Sequence, residues 1–120
     1  ENFGTIVTEN MGGYTWYKNS RLNRVSSWSN MAFLDIPSEI IYMQDKKTGK
    51  TWSLGLNPMP DENKYSVIYG FGYCKFIHQN MGITQELEVY VPNEDTIKVN
   101  ILKLTNNTVE RKKLKIIYYD

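Results

Sequence analysis

The sequence has 120 residues, 41% of them hydrophobic and 22% charged, with a formal net charge of +1 and one cysteine. That length suits a single domain able to bury roughly two-thirds of its unfolded surface. A charge so close to zero gives no reason to expect nucleic acid or membrane as a partner, no apolar run approaches the ~20 residues of a spanning helix, and a lone cysteine closes no internal disulfide.

Nine Tyr, four Phe and three Trp, with many Ile, Val and Thr, favour strands. Phe3–Thr8 and Gly13–Tyr17 read as two short strands around a turn at Asn10–Gly12. After Tyr17 the alternation stops, so Lys18–Pro37 reads as a long irregular loop, a kind of segment often kept for function. Glu39–Gln44 and Thr51–Leu54 form a predicted hairpin in which Gly49 supplies a positive φ. Pro58 and Pro60 exclude a central strand from Gly55–Asn63.

Tyr65–Gly72 and Tyr73–Gln79 follow, with Gly70 and Gly72 marking a bulge or a close backbone approach. Asn80-Met81-Gly82 turns the chain into Ile83–Val91, Pro92–Asp95 turns it again into Ile97–Ile101 and then Leu102–Leu104, and Asn106–Glu110 leads to Leu114–Tyr119. Eight or nine short strands, and no capped stretch of period 3.6, predict an all-β antiparallel sandwich or barrel. The chain opens at Glu1 without Met and closes inside an apolar alternation, which sets the expectation of a piece of a longer polypeptide.

Several side-chain groupings invite a chemical reading. Glu86 and Glu88 share a strand face about 7 Å apart, inside the spacing of a glycosidase carboxylate pair. Ile83, Leu87, Val89 and Val91 fill most of the other face, so the two glutamates are expected to face water. Cys74 and His78 lie on a predicted strand about 13 Å apart, too far for one zinc ion or a nucleophile–base pair, and no other His exists. Lys46-Lys47 and Arg111-Lys112-Lys113 fall at turns beside Asp45 and Glu110 and read as solvated hairpin ends. Tyr65, Tyr69, Phe71 and Tyr73 make a period-two aromatic row, expected to pack in the sheet or core. Gly12-Gly13 and Gly70-Phe71-Gly72 precede no helix that could hold a phosphate. With no catalytic residue, metal or cofactor assigned, the chain by itself is expected to be inactive. Asn106-Asn107-Thr108 matches a glycosylation sequon, a pattern too common to decide anything.

Thr8–Asn30 is different, because it gathers aromatic rings, guanidinium groups and amides. Rings lie flat on the apolar face of a pyranose, while Arg and Asn hydrogen-bond its hydroxyls. Tyr14, Trp16, Tyr17, Arg21, Arg24 and Trp28 are therefore the candidate substrate-binding residues. The competing reading has Trp16, Tyr17 and Trp28 plugging the sandwich end while Arg21 and Arg24 pair with Glu9 and Asp35.

The run from Asn2 to Arg24 (NFGTIVTENMGGYTWYKNSRLNR), continued by Trp28-Ser29-Asn30, Asp35-Ile36-Pro37-Ser38-Glu39, Tyr69-Gly70-Phe71-Gly72-Tyr73 and Gln85-Glu86-Leu87, resembles the N-terminal β-sandwich domain of the cellobiose phosphorylase family. That is glycoside hydrolase family ninety-four, formerly glycosyltransferase family thirty-six, which includes cyclic β-1,2-glucan synthases. The resemblance covers nearly the whole chain. It implies a supersandwich of the galactose-mutarotase-like class, only part of the full domain, followed in the family by an (α/α)6 barrel that carries the general acid and the phosphate site. The reaction so implied is reversible inverting phosphorolysis: phosphate attacks the anomeric carbon while a carboxylic acid protonates the leaving sugar oxygen. None of that machinery maps onto these residues. One departure is Asn30-Met31-Ala32 after Trp28-Ser29, where the family pattern has Asn-Asp-Pro, so an acid and a rigid turn are absent there.

The expectation is thus a non-catalytic domain, residues 1–120, of a carbohydrate-active phosphorylase or glycosyltransferase in a bacterial cytoplasm. Its expected partners are its own catalytic barrel, a homodimer mate, and the oligosaccharide and inorganic phosphate handled by the whole protein. An independent carbohydrate-binding module is the alternative, and a protein-interaction sandwich a third reading.

Overall fold

A computed structural model describes residues 2–26, 37, 39–59 and 61–120. Nine strands run in chain order: β1 Phe3–Val7, β2 Gly13–Tyr17, β3 Ile40–Asp45, β4 Thr51–Ser53, β5 Tyr65–Tyr69, β6 Tyr73–Asn80, β7 Ile83–Tyr90, β8 Val99–Asn106 and β9 Leu114–Tyr119. All pairings are antiparallel, in a β1–β2 hairpin, a three-stranded sheet ordered β4-β3-β9 and a four-stranded sheet ordered β5-β6-β7-β8. The all-β sandwich expected from the alternation is what forms. Ile97–Leu104 differs in detail: the strand begins at Val99 and runs unbroken to Asn106.

The four-stranded sheet shows how period two builds the core. Opposite residues share a face, and the pairing aligns Val67, Phe76, Leu87 and Leu102 in one row across all four strands. A second inward row joins Tyr65, His78, Gln85 and Leu104. Across from them the β3–β4 sheet contributes Ile41, Met43 and Trp52, with Leu54 following, to one cluster with Cys74, Phe76, Leu87 and Val89. The sheets are also stapled by polar groups. The Trp52 indole N–H donates to Gln85 Oε1 at 2.9 Å, and the Gln85 amide donates to the Leu54 carbonyl at 3.3 Å. Both side chains are essentially buried, and these two bonds satisfy their polar atoms.

Turns follow their residues. Met81 (φ 52°) and Gly82 (φ 74°) join β6 to β7 with the two successive positive φ values of a tight hairpin. Gly49, at φ 74°, closes the β3–β4 turn, and the Asp45 carboxylate accepts from the Lys47 backbone N–H at 2.9 Å. Asp45 is therefore a buried turn cap, and Lys47 instead reaches Glu110 at 3.9 Å across the neighbouring turn.

The aromatic row is corrected by the β5–β6 connection. Tyr69 pairs with Cys74, so Tyr73 stands on the opposite face of the sheet. Tyr69 is 59% exposed and Phe71 fully so, which places them at a hairpin tip. Only Tyr65 packs inward. Gly70 and Gly72 form a turn, not a bulge, with Gly72 at φ 82° and the Tyr73 ring lying across Gly70. Glu86 and Glu88 lie on the outer face, as expected, and share Lys75 at 3.1 and 3.9 Å.

Candidate functional site

The β1–β2 hairpin presents the groups singled out in the sequence. Its turn is closed by Thr8 N–H to the Gly12 carbonyl at 2.9 Å and Met11 N–H to the Thr8 carbonyl at 3.0 Å. Beyond β2 the chain doubles back. The Asn19 side-chain oxygen accepts from the N–H groups of Arg21 and Leu22, both at 2.9 Å, which tightens a loop that no strand pattern announces. Residues 23–26 then return beside β2: Tyr17 N–H donates to the Asn23 carbonyl at 3.0 Å, Val25 N–H to the Thr15 carbonyl at 2.7 Å, and Thr15 N–H to Ser26 Oγ at 3.0 Å. Arg24 thereby comes opposite Trp16.

Alternation then sorts the six candidates. Tyr14, Trp16 and Arg24 share one face of β2. The Tyr14 and Trp16 ring centroids are 5.7 Å apart, tilted by 50°, and the Arg24 guanidinium carbon lies 5.1 Å from the Tyr14 centroid. Arg24 Nε also donates to the Ser20 carbonyl at 3.2 Å. Tyr17 belongs to the other face, opposite Phe3, with the Lys18 ammonium 5.2 Å from its ring. Arg21 sits exposed at the loop tip, its backbone held by Asn19. Trp28, Asp35 and the Asn30-Met31-Ala32 departure lie outside the described residues, so the pairing of arginines with Asp35 does too. The structure thus brings together three of the six; Tyr17 is directed away by period two.

Trp16 owes its position to Gly4, its cross-strand partner. A Cβ on Gly4 would stand 2.3 Å from the indole, so the ring lies directly across bare backbone. At the turn, Gly13 (φ 129°) approaches the Ile6 carbonyl so closely that a Cβ there would stand 1.9 Å from its oxygen. Below the hairpin, Val7 and Met11 pack on the sandwich core. Beside it, Glu39 pairs with Lys98 and accepts from the Tyr118 hydroxyl; burial first, then the Glu39 charge, pushes the Tyr118 pKa up to about 12.

A buried cluster around His78 escaped sequence reasoning. Its Nε2 lies 2.7 Å from Asp61 Oδ2 and its Nδ1 3.0 Å from the Lys64 carbonyl oxygen, while the Tyr65 ring stacks on it at 3.7 Å and 4°. Both ring nitrogens thus have an oxygen partner within hydrogen-bond distance. Burial works against ionised Asp61, but the hydrogen bonds from His78 and the Asn63 backbone outweigh it and leave its pKa below the ordinary carboxylate value. With both nitrogens committed and the ring closed off, His78 fastens the Asp61–Lys64 loop to β6. The only sequence signal was its place on the inward face of β6. Cys74, also buried, has its thiol pKa raised by desolvation, the opposite of an activated nucleophile. Among the described residues, no three His, Cys, Asp or Glu converge as metal ligands.

The described residues thus form an all-β antiparallel sandwich with an aromatic–guanidinium face on its outer hairpin. The chain belongs to the family described as "Glycosyl hydrolase 94, supersandwich domain", whose match runs over residues 1–120. It is 30% identical to an N,N'-diacetylchitobiose phosphorylase of Vibrio proteolyticus over 91% of this chain and 14% of the relative, and 29% identical to one from Vibrio furnissii over 99% and 15%. A cyclic beta-(1,2)-glucan synthase of Rhizobium meliloti is 25% identical over 99% of this chain and 4% of the relative. The chain therefore spans about one-seventh of the length of the phosphorylases it matches. No helix among the described residues is long and apolar enough to cross a membrane.

Proposed function

We propose that this chain is a non-catalytic domain of a carbohydrate-active phosphorylase or glycosyltransferase, acting in the cytoplasm. On this reading it packs on a catalytic (α/α)6 barrel and helps wall the sugar site or a dimer interface, while the barrel carries out reversible phosphorolysis of a β-glucoside. The face formed by Tyr14, Trp16 and Arg24, with Arg21 at the adjoining tip and Trp28 beyond it in sequence, is the contact surface; Tyr17 serves the opposite face. The observation that carries this reading is the Arg24–Tyr14–Trp16 stack, a half-exposed aromatic and cationic surface outside the core. Aromatic planes suit sugar faces, and guanidinium groups suit hydroxyls and phosphate oxygens.

The test is kinetic. In the full-length polypeptide, Arg21→Ala and Arg24→Ala should each lower kcat/KM for phosphorolysis about tenfold, the size of one charge-assisted hydrogen bond, while the melting temperature moves by a few degrees at most. Wild-type kinetics from folded variants would remove the face from the site.

A further inference from the structure

The Tyr14–Trp16–Arg24 face exists only because the chain reverses after β2. β2 ends at Tyr17, and Lys18 takes φ 61°, a left-handed conformation that a residue with a Cβ keeps only where its surroundings hold it. Lys18 N–H donates to the Asn2 carbonyl, and Asn19 N–H to the Tyr17 carbonyl at 2.7 Å. The backbone must then come straight back, because Tyr17 N–H bonds to the Asn23 carbonyl and Arg24 bridges to Trp16. Residues 17–25 are all exposed, so apolar burial does not hold this reversal and its hydrogen bonds must.

Asn19 supplies most of them. Its side-chain oxygen accepts from Arg21 N–H and Leu22 N–H, both at 2.9 Å, and its backbone carbonyl accepts from Asn23 N–H at 2.9 Å. Together these bonds wind residues 19–23 into a single turn, the local use of an Asn amide that competes with regular structure. Both arginines hang on that turn. Arg21 is bonded to Asn19 through its own backbone, and Arg24 Nε is tied to the carbonyl of Ser20, the residue after Asn19.

We propose that Asn19 is the positioning residue of this face, acting through Arg21 and Arg24 rather than on substrate. Its carboxamide oxygen fixes the turn from which both guanidinium groups are presented. The effect on turnover rests on the reading given under the proposed function; the effect on the loop does not. Placement of this kind reaches the reaction because small displacements of binding groups lower the rate.

The experiment uses the full-length polypeptide and reads amide exchange beside phosphorolysis kinetics. Asn19→Ala should speed exchange in residues 21–25 about fivefold, the effect of losing one side-chain acceptor, and leave β6 and β7 unchanged. Asn19→Asp, which keeps an acceptor oxygen, should restore the exchange and most of kcat/KM. Asn19→Ala should lower kcat/KM about fivefold in the wild-type background and not at all in the Arg21→Ala/Arg24→Ala background. A merely structural role would lower both backgrounds alike, and that result would overturn the proposal. So would exchange indifferent to Asn19→Ala, or wild-type kinetics in Asn19→Ala while the arginine variants lose activity. Arginine variants with wild-type kinetics would sink the sugar-site reading alone, and the exchange result would still decide whether Asn19 sets the turn.

Discussion

The β6–β7 and β1–β2 hairpins begin from similar instructions and end in different roles. Each is a pair of antiparallel strands joined by a tight turn with a glycine at positive φ. β6 and β7 have a strand on either side and a second sheet above, so every inward residue from Cys74 to Asn80 and from Ile83 to Val89 is buried. Among the described residues, β1 and β2 pair with each other and, through Trp16, with the returning segment at Arg24, and their burial is partial. Turn chemistry makes a hairpin; its neighbours decide whether it holds the fold or displays side chains.

If that distinction is right, the largest loss of stability belongs to the sandwich. Trp52→Ala removes a buried indole and leaves Gln85 Oε1 without its donor. The expected cost is about 3–5 kcal/mol, read as a lower denaturation midpoint. A loss under about 1 kcal/mol would mean that the two sheets do not depend on this staple.

Gly13→Ala should come second and stay local. A residue with a side chain would sit at φ 129° with its Cβ against the Ile6 carbonyl, and backbone cannot yield as a side-chain tip can. About 1–3 kcal/mol of strain is expected. Amide exchange should locate it: β1 and β2 lose protection, while β6 and β7 keep theirs. Equal loss in both hairpins would erase the division drawn between them.

The same contrast explains what the sequence conveyed. Where a strand is flanked on both sides, as in Ile83–Tyr90, alternation alone marks its extent to within one residue, and its inward face. The Asn2–Arg24 run was specific enough to reveal the family. Alternation could not give the His78 cluster, because Asp61 and Lys64 come from a loop whose path depends on tertiary packing. Nor could it show that Tyr69 and Tyr73 face opposite ways, since the turn between them resets the parity. The candidate site was legible as a composition, yet its division into Tyr14–Trp16–Arg24 on one face and Tyr17 on the other needed the Asn19 loop that brings Arg24 back.

The Asp61–His78 link gives the sandwich a dependence on acid. Asp61 has a lower pKa folded than its ordinary value of 3.8, so folding favours the ionised form. Its contribution is fully present above about pH 4 and disappears as the pH falls through the folded value. Asp61→Asn should therefore flatten the acid limb of stability below pH 4. A wild-type acid limb in the variant would show that the link carries no linked proton.

The smallest effect on stability belongs to Arg24→Ala, and it is the most diagnostic for the outer hairpin. The guanidinium lies over Tyr14 at an exposed position, where a cation–π contact contributes about 0.5–1 kcal/mol. Its Nε bond to the Ser20 carbonyl is also solvent-exposed. The backbone return at residues 23–26 rests on Asn23, Val25 and Ser26, none of which changes. The melting temperature should therefore move by a few degrees at most, while the surface next to Tyr14 and Trp16 loses its positive charge. A fall of several kcal/mol would make Arg24 a structural anchor of the loop and turn the displayed face into part of the scaffold.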